Sequence, residues 1–212
     1  EIYEIDNFLS KNECDQLIKE IKGELRPSTI ASSGEYDASY RTSSTCDLGN
    51  KSNVFLQEID RRICDFIGID TAYGETLQGQ HYLEGQEFKE HTDYFEGSQL
   101  LDHDGGRGQR TYTFMIYLNE VLQGGETAFP QLNKVFSPSP GKALIWNNLN
   151  ENASTNENTM HQAHPVIKGE KTIITKWFRQ ASIGIASKKE LNKHVNTYTQ
   201  TGFQKSSLDK GL

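Results

Sequence analysis

Apolar positions along the chain follow two periods. Near the start, Leu17, Ile18 and Ile21 fall on one face of a 3.6-residue spiral. Ser10 followed by Glu13 has the form of a capping box and Gly23 is a natural stop, so the pattern predicts a helix over about 10–22. Leu56, Ile59, Ile63, Phe66 and Ile67 repeat at spacings of three and four, which predicts a second amphipathic helix over about 53–67, starting near Ser52. The stretch between them is rich in Ser, Gly and Asp and reads as loop with short strands.

From about residue 75 the period changes. ETLQGQHYL, RTYTFMIYLN, KALIWNN, QAHPVI and KTIITKWFRQ each hold β-branched and aromatic residues bounded by Gly, Pro, Asn or Asp, and each reads as a strand. Such a run predicts an all-β sandwich or barrel of jelly-roll type, with the two helices packed on one face. The segment 96–109, EGSQLLDHDGGRGQ, is polar, Gly-rich and long enough for a functional loop. Residues 186–212 are polar and read as a short helix followed by a loose extension.

Composition narrows the function classes. With 212 residues, the chain suits one sizeable domain, assigned here to 1–185. A net charge of −7 disfavours nucleic acid as a partner, because phosphate binding needs a basic surface. No run of about 18 apolar residues is present, so no membrane span is expected. The first residues, EIYEIDNFLS, lack the basic and apolar regions of a signal peptide, and the absence of an initiator Met points to trimming upstream. The expected location is cytoplasmic or otherwise intracellular. The three cysteines, Cys14, Cys46 and Cys64, are odd in number and form no CxxC, so reduced thiols are expected rather than a disulfide framework or a zinc knuckle. Oligomeric state is not encoded in any of these features.

His91-Thr92-Asp93 is the first candidate for chemistry. Alternate residues of a strand point the same way, so His91 and Asp93 can aim at one ion if the segment is extended. The tripeptide alone is a weak signal, because HxD is common and a surface histidine beside an acid is its more usual reading. A third ligand has to come from a distant strand, and His161 and His164, in MHQAHPVIKGEK, stand just before the last strand pattern. Two histidines and a carboxylate on one face of an ion leave coordination positions open, the arrangement of non-haem Fe(II) oxygenases. A zinc hydrolase could use such ligands, but no HExxH is present to support it. Lys171 opens the last strand and shares a face with Ile173, Thr175 and Trp177. If that face is interior, the ammonium needs an anion; otherwise it closes the KGEK turn in water.

Taken in order, RTSS, LQGQHYLEGQEFKEHTDYF, RTYTFMIYLNEVLQGGETAFP, PSPGKALIW and MHQAHPVIKGEKTIITKWFR resemble the prolyl 4-hydroxylases of the Fe(II)/2-oxoglutarate-dependent dioxygenase superfamily, over about residues 40–179. The resemblance implies a double-stranded β-helix of jelly-roll, cupin-like form. It implies His91, Asp93 and His161 as iron ligands, with His164 a non-ligand neighbour. Lys171 is implied to hold the distal carboxylate of 2-oxoglutarate, with Tyr82 and Thr127 as further contacts and Trp177 lining the pocket. Arg110, Arg41 and Ser43 are implied on the substrate side, the RTSS segment as a mobile loop. Phe88 stands where many relatives carry Tyr.

The implied cofactors are Fe(II), 2-oxoglutarate, O2 and ascorbate, and the implied reaction converts peptidyl proline to 4-hydroxyproline with release of succinate and CO2. The partner is a proline-containing peptide or protein, for which loops 30–50 and 96–109 are candidate walls. Two alternatives stay open: a superfamily oxygenase acting on another side chain or a small molecule, and a non-catalytic peptide-binding β-helix module.

Overall fold

A computed structural model describes residues 1–29, 39–49 and 52–182. The extension at 186–212 and the centre of the 30–50 segment lie outside these residues. The elements run β1 (Ile2–Ile5), α1 (Lys11–Lys22), β2 (Arg26–Pro27), β3 (Ser44–Asp47), α2 (Val54–Ile67), β4 (Gln78–Tyr82), β5 (Phe88–His91), α3 (Gln99–His103), β6 (Arg110–Tyr117), β7 (Gln123–Gly124), β8 (Thr127–Phe129), β9 (Lys134–Phe136), β10 (Ala143–Asn147), β11 (His161–Ala163), β12 (Val166–Lys168) and β13 (Lys171–Arg179).

Antiparallel pairing builds a large sheet, β1-β10-β6-β13-β4-β3-β2, and a small one, β5-β11-β8-β9, with β12 and β7 paired between them in sequence. Side-chain alternation divides the large sheet into two faces. Phe114, Ile116, Ile145, Ile174 and Phe178 point outward and are covered by Leu17 and Ile21 of α1 and by Leu56, Ile59, Ile63 and Ile67 of α2. Full burial of each such side chain stabilises the fold by about 1.5–3 kcal/mol. Met115, Tyr117, Leu144, Trp146 and Ile173 point the other way and pack with Phe129, Ala163 and Val166 from the small sheet and its neighbours. The result is the double-stranded β-helix that the strand pattern and the resemblance predict, and its inner face carries the site.

The capping box of α1 acts as read, and α2 has caps that the pattern did not name. Ser10 caps α1, with the reciprocal Glu13 bond in place. Asn53 caps α2, and Gly68 ends it in the left-handed conformation (φ 74°) that its missing Cβ permits. Gly79 is required by packing instead: a Cβ there would stand 2.5 Å from Ile21 Cγ1, so its absence lets α1 close on β4. Two expectations need correction. No strand is predicted before Ser10, yet Ile2–Ile5 pairs with β10, which supplies the partner that a four-residue pattern cannot announce. QAHPVI reads as one strand, but Pro165, which has no N–H to donate, separates β11 from β12, and the two join different sheets.

The three cysteines are free and buried, and burial pushes each thiol up to about 11. They are inert core residues at neutral pH. Among the described residues no helix is long and apolar enough to cross a membrane.

Candidate active site

The small sheet brings the metal-type ligands together. His91 ends β5 and His161 begins β11, and the two are direct antiparallel partners. Asp93 follows just beyond β5. One ligand atom from each of His91, Asp93 and His161 lies within 4.8 Å of the others. Both imidazoles are oriented by the backbone. The Nδ1 of His91 is 2.7 Å from the Lys89 carbonyl and that of His161 is 2.9 Å from the Thr159 carbonyl. These carbonyls can only accept, so each Nδ1 donates its proton to one, and Nε2 is the nitrogen left for an ion. Burial, reinforced by the neighbouring His161, holds the His91 imidazole well below its ordinary range. Burial alone would raise the Asp93 carboxyl, but His161, His91, Arg110 and the Thr113 hydroxyl keep it lowered and ionised. The donor set fits a hard divalent ion with open positions.

Aromatic walls fix the ligands. Phe88 stacks on His91 with centroids 3.5 Å apart and an interplanar angle of 13°. Phe129 and Trp146 lie 5.3 and 4.8 Å from the His161 ring. His164 takes no part: its Nδ1 is 3.4 Å from Glu126 and its side chain is 35% exposed.

The triad opens into a cleft of about 1000 Å³ that Lys171 also lines. Strand β13 carries two buried lysines on opposite faces. Lys176 points toward α2 and pairs with Asp60 at 2.6 Å. Lys171 points inward, is 1% exposed, and its Nζ has no hydrogen-bond partner among the described residues. The rings of Tyr82 and Tyr117 flank it at 5.2 and 5.5 Å. Burial pushes this ammonium down to about 7, against an opposing pull from Glu126. A buried cation without a counter-charge is costly, so the position suits an anionic ligand. The turn-in-water reading of Lys171 is thereby excluded.

Tyr82 is the cross-strand partner of Lys171, is 1% exposed, and donates from its hydroxyl to Gln80 Oε1 at 3.0 Å. Thr127 accepts from the Tyr117 hydroxyl at 2.6 Å. Both line the cleft, as does Trp177. Arg110 lies over the Trp177 ring at 4.1 Å and over Phe95 at 4.8 Å, and binds Glu75 through two bonds of 2.8 Å. Burial would raise the Glu75 carboxyl, yet Arg110 and Arg179 hold it below its ordinary range. Arg41 also faces the cleft, 4.8 Å over Phe88, and donates to the Thr29 carbonyl and Gln78. Ser43 is 2% exposed and stands behind it, its hydroxyl 2.9 Å from that of Ser28; it is not among the residues lining the cleft. The 96–109 segment supplies Glu96, Gln99, His103, Asp104, Gly105 and Arg107 to one wall; Tyr40, Arg41 and Asp47 stand on the 30–50 side.

The sequence pattern passes over Gln80, Thr113, Tyr117 and Glu75. Three of these were within reach of alternation: Gln80 shares a face with Tyr82, and Thr113 and Tyr117 share one with Met115, so polar groups recur on an inward strand face.

Residues 77–179 match the model of the 2OG-Fe(II) oxygenase superfamily. The chain is 35% identical over 199 residues to probable prolyl 4-hydroxylase 6 of Arabidopsis thaliana, spanning 84% of this chain and 68% of that protein. It is 32% identical over 210 residues to probable prolyl 4-hydroxylase 7 of the same plant, spanning 89% and 66%. The viral collagen prolyl hydroxylase of Paramecium Bursaria Chlorella virus-1, in its 2OG complex, superposes with a TM-score of 0.67 at 26% identity, over 84% of this chain and 95% of that one. The chain thus spans about two thirds of the length of the plant relatives.

Proposed function

This chain belongs to the prolyl 4-hydroxylase family of 2OG-Fe(II) oxygenases, and from that premise we propose that it is an Fe(II)- and 2-oxoglutarate-dependent dioxygenase that converts peptidyl proline to 4-hydroxyproline. The observation that carries the reading is one cleft that holds both the His91–Asp93–His161 cluster and the unpartnered Lys171 ammonium. A metal cluster alone would suit many reactions. A dicarboxylic acid that must chelate at one end and be gripped at the other accounts for both features.

In this reading His91, Asp93 and His161 hold the iron. Lys171 binds the distal carboxylate of 2-oxoglutarate, with the hydroxyls of Tyr82 and Thr127 beside it and Trp177 along the wall. When bound, Fe(II) would let O2 oxidise 2-oxoglutarate to succinate and CO2 with one oxygen atom and hydroxylate the substrate carbon with the other, with ascorbate as the accompanying reductant. The protein's share is positioning and exclusion of water. The aromatic residues Phe88, Phe129 and Trp146 keep the ligands rigid and the floor dry. Arg41, backed by Ser43, and Arg110 stand on the open side, where a peptide enters. Proline-rich peptides suit such a cleft because they are already extended in the polyproline II form.

The test is an assay of succinate formation with Fe(II), ascorbate and 2-oxoglutarate, run against proline-containing peptides and otherwise identical alanine peptides. Succinate that rises only with the proline peptides, together with a mass gain of one oxygen on proline, supports the assignment. Turnover coupled only to a non-peptide acceptor overturns the prolyl substrate, and peptide binding with no succinate overturns the enzyme.

A further inference from the structure

We infer that Thr113 and Asn148 are a positioning pair that fixes the Asp93 carboxylate for the metal. The inference rests on the metal-centre reading above and extends it to two residues behind the ligands. Thr113 lies on the inward face of β6 and Asn148 follows directly on β10; both are fully buried, and Asp93 is 7% exposed. The Thr113 Oγ1 donates to Asp93 Oδ2 at 2.7 Å, and Asn148 Nδ2 donates to Thr113 Oγ1 at 2.9 Å.

The direction of this chain follows from chemistry. An ionised carboxylate can only accept, so the threonine proton points at Asp93. The hydroxyl oxygen then has lone pairs free and receives the amide N–H. The Asn148 amide is committed to that orientation, which leaves its Oδ1 buried without a hydrogen-bond partner among the described residues. Leaving such an acceptor unsatisfied is costly. A valine at position 113 would have nearly the same shape, but it would leave the Asp93 Oδ2 acceptor and the Asn148 Nδ2 donor without this partner. The hydroxyl is therefore explained by what it does for Asp93. It holds one carboxylate oxygen and one rotamer, so that the acid meets the ion without reorganising, as a hydrogen-bonded ligand carboxylate does in other metal sites. The cross-strand order makes this possible: β6 lies between β10 and β13 in the large sheet, so its Thr113 can reach across to the residue that follows β5.

The test compares the wild-type apoprotein with Thr113→Val, which removes the donor and keeps the shape, and Thr113→Ser, which keeps the donor. Each is titrated with Co(II), and with Fe(II) under anaerobic conditions, while circular dichroism confirms the fold. Expected is binding about 10- to 100-fold weaker for Thr113→Val, a changed Co(II) ligand-field spectrum, and near wild-type behaviour for Thr113→Ser. The dissociation constant of 2-oxoglutarate at saturating metal should stay the same in all three, which separates loss of ligand positioning from a damaged cleft. If the valine variant fails to fold, Thr113→Ala is compared with Thr113→Ser in the same way. Equal metal affinity in wild type and the hydroxyl-free variant overturns the inference, as does a serine variant as weak as the valine one. Absence of Co(II) and Fe(II) binding in the wild type itself would instead overturn the metal-centre reading, and this inference with it.

Discussion

His161 on β11 and His91 on β5 are direct cross-strand partners, and their rings lie 4.2 Å apart. A register, set by backbone pairing, thus brings together two ligands that are remote in sequence. Side-chain direction alternates along a strand, so a slip of one residue would turn the His161 ring away from the cluster. The ladder shifts just after this pair, between His161 and Ala163.

His161→Ala is expected to abolish Fe(II)-dependent turnover and to reduce metal affinity by at least about 100-fold, because a vacated ligand position has no substitute nearby. His164→Ala should keep most of both, since that side chain faces Glu126 at the half-exposed rim. Metal titration followed by succinate assay of the two variants checks this. A reversed result would mean that the other histidine is the ligand.

Phe88→Ala should loosen His91 without removing it. The stacked ring contributes about 0.5–1.5 kcal/mol, so the iron requirement is expected to rise about 2- to 10-fold while the 2-oxoglutarate requirement changes little. Phe88→Tyr should retain the stacking and behave like wild type in metal binding. Activity measured against iron at saturating 2-oxoglutarate, and then the converse, separates the two constants.

Much of this arrangement was legible in the chain itself. Both helices announced their apolar faces and the first its N-cap, and strands β4, β6, β10 and β13 showed as β-branched and aromatic runs. Alternation placed Lys171 with Ile173, Thr175 and Trp177, and the resemblance put His161 with His91 and Asp93. What stayed hidden depends on partners. The strand β1 exists through pairing with Ala143–Trp146, and the break at Pro165 shows only once two sheets compete for its flanks. The commitment of Arg110 to Glu75 joins residues on separate elements with no shared periodicity. Ser43 reads as part of a substrate loop but stands behind Arg41, because β3 pairs with β4 directly after it.

Gly79→Ala tests the helix-on-sheet packing. The new methyl would lie 2.5 Å from Ile21 Cγ1 and 2.9 Å from Cys46 Sγ, closer than atoms can approach. Either α1 moves off β4 or Ile21 leaves its rotamer, at a cost of about 1–3 kcal/mol. Urea unfolding should show the midpoint falling with an unchanged slope, and Ile21→Ala, which removes the clashing Cγ1, should cost less in the Gly79→Ala chain than in the wild type. An alanine variant as stable as wild type would show that this contact is not close-packed.

Lys171→Met should separate function from stability. In the ligand-free protein the ammonium is buried without a hydrogen-bond partner among the described residues and its pKa is pushed down to about 7 from 10.5. Between those values the unfolded chain holds a proton that the folded chain has released, so stability rises with pH across this window. The burial penalty is fully present below about 7 and has vanished above 10.5. The methionine variant should therefore melt higher than wild type near pH 6, on the order of 5 °C, and the gap should narrow toward pH 10. The same substitution should weaken 2-oxoglutarate binding about 100-fold or more, because the distal carboxylate loses its counter-charge. Binding in the wild type should also draw a proton. At about pH 8.5 most of the free protein carries a neutral Lys171, and the incoming carboxylate favours the charged form. Calorimetry in buffers of different ionisation heat should register close to one proton taken up at that pH, little near pH 6, and none in Lys171→Met at either. A wild type that binds 2-oxoglutarate at pH 8.5 with no proton uptake would show that the carboxylate is held by other groups.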